Sequence, residues 1–182
     1  RNSWSNMRIL VISDVHANYT AFEAVLEDAG TVDETWCLGD VVGYGPDPNA
    51  VVELLREIPD LTCLLGNHDL AVTGKIPFEA FNGDARRALE HHERVLSADN
   101  MDFLRSLQPN LKVREGVSLV HGSPRDSVWE YILNTLSARL NFDPGFFGTG
   151  AARRRAPSSG ARGLHRDPHG QGRLLFAAVH GR

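Results

Sequence analysis

Leu64-Leu65-Gly66-Asn67-His68-Asp69 is the stretch on which the reading of this chain turns. It closes an apolar, β-prone run over residues 61–65, breaks it at a glycine, and sets an amide, an imidazole and a carboxylate where a strand should end. In open α/β sheets ligands bind in the crevice beyond the carboxyl ends of the strands, so a polar burst there marks a candidate site. Gly-Asn is equally an ordinary turn pair, and the stretch gains weight only because the same design recurs elsewhere.

Upstream, residues 35–38 form a strand-like run closed by Gly39-Asp40, and a glycine-rich loop (Gly43-Tyr44-Gly45-Pro46) leads to Asp47-Pro48. Asp at a cap followed by Pro at the first helical position starts a helix, whose buried face is Val51, Leu54, Leu55 and Ile58 and which Pro59 stops. Earlier still, residues 8–13 (RILVIS) are a buried-strand run followed at once by Asp14, His16 and Asn18. Phe22, Val25, Leu26 and Ala29 then mark one face of a helix that Gly30 ends. Strands alternating with helices predict an α/β fold, its sheets parallel or mixed and covered by helices.

Downstream, residues 79–95 and 98–107 read as helices rich in Arg and Glu, and the adjacent His91 and His92 are expected in solvent there. Residues 111–113 and 117–120 form a hairpin around Glu115-Gly116, with His121-Gly122-Ser123-Pro124 where its second strand ends. Trp129, Ile132 and Leu136 have helical spacing and are expected in the core.

Composition supports one domain: 182 residues with 42% hydrophobic content bury one sizeable core. Cys37 and Cys63 lie inside apolar strand-like runs, which predicts buried reduced thiols and a cytoplasmic setting. No segment reads as a membrane span. Up to Asp143 the chain carries 22 acidic and 12 basic residues, a net −10, whereas residues 144–182 carry one Asp and seven Arg, a net +6. An acidic body argues against a surface that coats nucleic acid and fits a carboxylate-lined cation site.

Asp14-x-His16, Gly39-Asp40, Gly66-Asn67-His68-Asp69 and His121 each follow an expected strand. Singly, Asp14 reads as a helix cap, Asp40 as a turn residue and His121 as a satisfied core histidine. As an ordered set they resemble the calcineurin-like metallophosphoesterase family, and Ser13-Asp14-Val15-His16-Ala17-Asn18 with Gly39-Asp40-Val41-Val42-Gly43-Tyr44-Gly45-Pro46 look like its small bacterial phosphodiesterase-like branch. The resemblance covers about residues 7–143. It implies an αββα fold, mixed sheets sandwiched between helices, and a dinuclear centre: Asp14 and His16 on one divalent ion, Asn67 and His121 on the other, Asp40 bridging. Carboxylate oxygen with imidazole suits Mn, Fe, Zn or Ni, with Mn favoured by the resemblance. Such a pair generates a bridging hydroxide and clamps both oxygens of an in-line displacement at phosphorus. By the same resemblance His68 is no ligand but faces the phosphoryl group, with Asp69 orienting it. Asn18, Tyr44 and Arg125 are separate candidates for substrate contact, the alternatives being that Tyr44 only packs its loop and Arg125 only sits in solvent. The implied substrate is a phosphodiester or another small phosphorylated compound.

The family's final Gly-His-x-His is absent, leaving His165, His169 and His180 in Gly- and Arg-rich surroundings where Pro168 breaks a helical ligand pair. Residues 144–182 lack Lys, Glu and Ile and show no sustained period, so they are expected to be disordered or translated out of frame. The domain layout expected is an extension over 1–6, a C-terminally incomplete metallophosphoesterase domain over 7–143, and that tail. Two other functions fit the same pattern, a non-catalytic scaffold on this fold and an inactive truncated product.

Overall fold

The apolar run Arg8–Ser13 becomes β1, an inner strand of a four-stranded parallel sheet. The computed structural model describes residues 7–114, 117–141 and 173–178. From β1 the chain runs through α1 (Tyr19–Ala29), β2 (Glu34–Cys37), α2 (Pro48–Arg56), β3 (Leu61–Cys63) and α3 (Asn67–Val72). A 3₁₀ turn (Phe78–Ala80) precedes α4 (Gly83–Val95) and α5 (Ala98–Ser106). Then come β4 (Asn110–Arg114), β5 (Val117–Val120), α6 (Thr135–Asn141) and β6 (Arg173–Ala178). The parallel sheet has the order β3-β2-β1-β6, and β4 and β5 form a separate antiparallel pair.

Alternation along β1 divides the core into two layers. Leu10 and Ile12 face α1, α2, α4 and α5, where they meet Phe22, Val51, Leu55, Leu89 and Leu104. Ile9 and Val11 point the other way, toward Trp36, Leu64 and Leu119, and the β4–β5 hairpin covers that face through Leu111, Val113 and Val117. Side chains of period two that are buried on both faces are what a parallel sheet between two layers requires. The α/β class and its helix-covered sheet are thereby met. Cys37 and Cys63 pair in register across β2 and β3 and are buried free thiols.

Asn67, His68 and Asp69 open α3, because the Asp69 carboxylate reaches back to accept the Gly66 N–H at 2.9 Å. Two expectations are corrected. Trp129, Ile132 and Leu136 do not share a helical stripe: α6 starts only at Thr135, and Leu136 is 68% exposed. Residues 173–178, expected in a disordered tail, pair parallel with β1 from Arg8↔Arg173 to Ser13↔Ala178. Arg173-Leu174-Leu175-Phe176-Ala177-Ala178 is an apolar run, and it takes the edge of β1 that β2 leaves open. Residues 1–6 and the rest of the expected tail, His165, His169 and His180 included, lie outside the described residues.

Candidate metal centre

The loops after β1 and β2 are zipped together by backbone hydrogen bonds. Asp14 N–H donates to Gly39 O (3.0 Å), His16 N–H to Asp40 O (2.9 Å) and Ala17 N–H to Val41 O (2.8 Å). Asp14, His16 and Asp40 all sit in the left-handed region, with φ of 58°, 50° and 55°. That conformation costs roughly 1 kcal/mol or more per residue and persists only where the surroundings over-determine it, as this zipper does. The loop after β3 closes in from the other side: His68 N–H donates to Asp40 Oδ1 at 3.0 Å, and a Cβ on Gly66 would collide with the Asp40 carboxylate. Gly66 is therefore required by close approach, not by its own φ.

Asp40 is the common member of two clusters whose potential ligand atoms lie within 4.8 Å of one another: Asp14, Asp40 and His121, and His16, Asp40 and His68. Both outer histidines are held from behind. His16 Nδ1 donates to Val42 O (3.0 Å) and His121 Nδ1 to Leu38 O (2.9 Å), tautomers that turn each unprotonated Nε2 toward the cluster. His16 Nε2 then faces Asp14 Oδ1 at 3.8 Å and Asp40 Oδ2 at 3.7 Å, and His121 Nε2 faces Asp40 Oδ2 at 3.6 Å. Acceptors meeting acceptors at these distances call for a cation or an N–H donor among them. A backbone carbonyl behind each imidazole is the arrangement that fixes metal-binding histidines. Asn67 meets the cluster either way round: its amide nitrogen reaches Asp40 Oδ2 (3.0 Å), Asp40 Oδ1 (3.2 Å) and His121 Nε2 (3.2 Å), or Oδ1 turns inward as one more acceptor. All five residues expected as ligands are thus brought together, and the donor set of carboxylate, imidazole and amide fits hard to borderline divalent cations.

Electrostatics point the same way. Burial pushes the Asp40 carboxyl well above the ordinary carboxylate range; the charge of Asp69 adds to this, and the His68 N–H opposes it. Burial lowers His16. His68 is lowered to about 3, first by burial and then by the neighbouring His16, His121 and His92, so before any anion arrives its ring is neutral. Its Nδ1 is buried without a hydrogen-bond partner. His68 was expected to stand outside the ligand set, yet one of its ring nitrogens lies within the His16 and Asp40 cluster.

Asp69 does not orient His68. It is fully buried, and its carboxylate accepts from Gly66 N–H (2.9 Å), Val42 N–H (3.0 Å) and Val41 N–H (3.2 Å), tying the loop after β2 to the start of α3. The family resemblance implied the other role, but neighbouring helical residues point in different directions. Asn18 caps α1, accepting from Ala21 N–H at 3.1 Å. Arg125 reaches Glu130 (3.3 Å), within a network that joins Ser123, Glu130 and Asn141 and folds the segment after His121. Neither of these two is shown at the cluster.

Tyr44 is at the rim, 48% exposed, with its ring centroid 4.9 Å from both His16 and His68. Phe81 meets His68 at 4.9 Å and Trp129 at 5.4 Å, extending an aromatic wall beyond it. Burial raises the Tyr131 phenol and the charges of Asp40 and Asp14 add to this, which places that group in the field of the carboxylates. His92, expected in solvent, is instead buried against the Gly43–Gly45 loop, whereas His91 is exposed. The signal was available: Ala85, Leu89 and His92 recur at i, i+4 and i+7, one face of α4.

Residues 7–147 match the family model described as calcineurin-like phosphoesterase. An uncharacterized protein, MJ0912, of Methanocaldococcus jannaschii is 41% identical over 133 residues, 68% of this chain and 53% of its own. A bis(5'-nucleosyl)-tetraphosphatase, symmetrical, of Aromatoleum aromaticum is 29% identical over 123 residues, 63% of this chain and 44% of its own. The crystal structure of a metallophosphoesterase from Sphaerobacter thermophilus superposes with a TM-score of 0.65 at 47% identity, over 75% of this chain and 56% of that one. The chain spans about half the length of the curated relatives it matches.

Proposed function

Because this chain belongs to the calcineurin-like phosphoesterase family, we propose that it carries the site of a metal-dependent phosphoesterase acting on phosphodiesters or small phosphorylated compounds. The observation that carries this reading is the convergence of Asp14, His16, Asp40, Asn67 and His121, with Asp40 shared between two clusters. Asp14 and His16 would hold one divalent cation, Asn67 and His121 a second, and Asp40 both, with Mn favoured over Fe, Zn or Ni. When bound, such ions supply Lewis acidity toward the phosphoryl oxygens and activate the attacking water.

The chain's own residues do the rest. His68 is held neutral and unsatisfied at Nδ1 beside the cluster, and an anionic phosphoryl group against its ring favours the protonated form. It is then suited to stabilise developing charge and to give a proton to the leaving alkoxide. Asp69 keeps the two loops in place, and Tyr44 limits the entrance. The names of relatives make dinucleoside polyphosphates worth including in a substrate panel beside simple diesters. Among the described residues no helix is long and apolar enough to cross a membrane, and the buried free thiols agree with a cytoplasmic setting.

The test is hydrolysis of bis-p-nitrophenyl phosphate with added Mn²⁺, Fe²⁺, Zn²⁺ or Ni²⁺. Turnover that disappears in His68→Ala supports the reading. Full activity in that variant, or none with any of the four metals, sinks it.

A further inference from the structure

We propose that His92 is a positioning residue for this site, a two-handed clamp that sets the Gly43–Gly45 loop and, through it, His16 and Tyr44. Gly43 N–H donates to His92 Nδ1 at 3.0 Å, and His92 Nε2 lies 2.8 Å from Gly45 O. A ring nitrogen that accepts from an amide carries no proton, so the other nitrogen must be the N–H that donates to Gly45 O. Both polar ends of one buried side chain, 1% exposed, are thereby spent on a single loop more than forty residues away in sequence.

That loop needs holding. Gly43 has φ +98° and a Cβ there would strike the His68 ring, while Tyr44 sits at φ 54° in the left-handed region. The loop is also where the site is adjusted: the Val42 carbonyl fixes His16, Gly45 N–H donates to His16 O at 2.9 Å, and the Tyr44 ring packs on His16 and His68. An apolar residue at position 92 could fill the volume but would leave the Gly43 N–H buried and unpaired, a cost that the loop relieves by moving. A carboxamide presents one acceptor and one donor and can restore both bonds. The link from loop to catalysis rests on the phosphoesterase reading; the clamp itself does not.

The experiment uses the 182-residue chain and the variants His92→Leu and His92→Gln. Long-range ¹H–¹⁵N spectra of the wild type should show His92 neutral and protonated at Nε2. Amide exchange at Gly43, Tyr44 and Gly45 should accelerate by about tenfold or more in His92→Leu and return toward wild type in His92→Gln. In the Mn²⁺ assay kcat should fall by about tenfold or more in His92→Leu with KM changed far less, and His92→Gln should recover most of it, because misplacement affects the reacting geometry. A proton on Nδ1, or loop exchange in folded His92→Leu equal to wild type, overturns the clamp. If His92→Leu does not fold, the wild-type tautomer and the exchange in His92→Gln decide. A wild type without turnover defeats the phosphoesterase reading and leaves the tautomer and exchange measurements to judge His92 alone.

Discussion

The region from β1 to α5 and the segment from His121 to Asn141 use similar amino acids to opposite effect. In the first, Phe22, Leu55, Leu89 and Leu104 are fully buried between a parallel sheet and four helices. In the second, Leu133 is 83% exposed and Leu136 68%, and order comes from polar bonds among Ser123, Arg125, Glu130 and Asn141. Four of the five expected ligands come from the first region, at strand ends whose loops are bonded to one another. The fifth, His121, is tied to the first region through the Leu38 carbonyl. Placement of a site therefore follows strand ends on a packed sheet, whereas apolar spacing alone does not create a core without a surface to pack on.

Stability measurements can break this contrast. Leu89→Ala should cost about 2–5 kcal/mol in urea unfolding, as expected for a buried leucine. Asp69→Ala should cost about 3–5 kcal/mol, because three backbone N–H groups lose their acceptor inside the packed region. A smaller loss in either would mean that this region is looser than its burial implies. Leu133→Ser, by contrast, should stay within about 0.5 kcal/mol. A large loss there would show that the second segment is packed in solution.

The site sharpens the comparison with effects of opposite sign in one variant. Asp40→Asn should weaken Mn²⁺ binding by about 100-fold, because it removes the carboxylate that the two clusters share. The same change should raise the melting temperature of the chelator-treated chain at pH 7.5, since burial disfavours the ionised carboxylate and Asn still accepts the His68 N–H. Titration calorimetry and thermal unfolding read the two arms separately.

The smallest expected effect is on pH dependence. His68 has a folded pKa of about 3, below the usual value of about 6.5 for the unfolded chain, so protons favour unfolding. Its contribution is fully present above about pH 6.5 and is lost as pH falls from there toward 3. His16 and His92 are lowered as well and act in the same direction, while the raised Asp40 acts against them. His68→Asn isolates one of these groups. Between pH 7.5 and 5 the metal-free variant should lose less melting temperature than the wild type, and an equal loss would contradict a neutral buried ring.

Much of this molecule is written locally. Runs such as RILVIS, the Asp47-Pro48 start signal and the Phe22–Val25–Leu26–Ala29 face specify a strand, a helix start and a buried face through steric and solvation preferences that act over a few residues. The ordered set was legible as polar residues at strand ends: Asp14, His16, Asp40 and Asn67 follow parallel strands that deliver their ends to one edge of the sheet, while His121 follows the antiparallel pair and is held there by the Leu38 carbonyl. What local preference cannot specify is which polar groups meet once those ends arrive. Asp69 turned from His68 to three backbone amides, His92 left solvent for the Gly43–Gly45 loop, and residues 173–178 took the open side of β1. Each outcome came from the need to satisfy a buried amide or an unpaired edge, a demand that exists only after the chain has closed on itself.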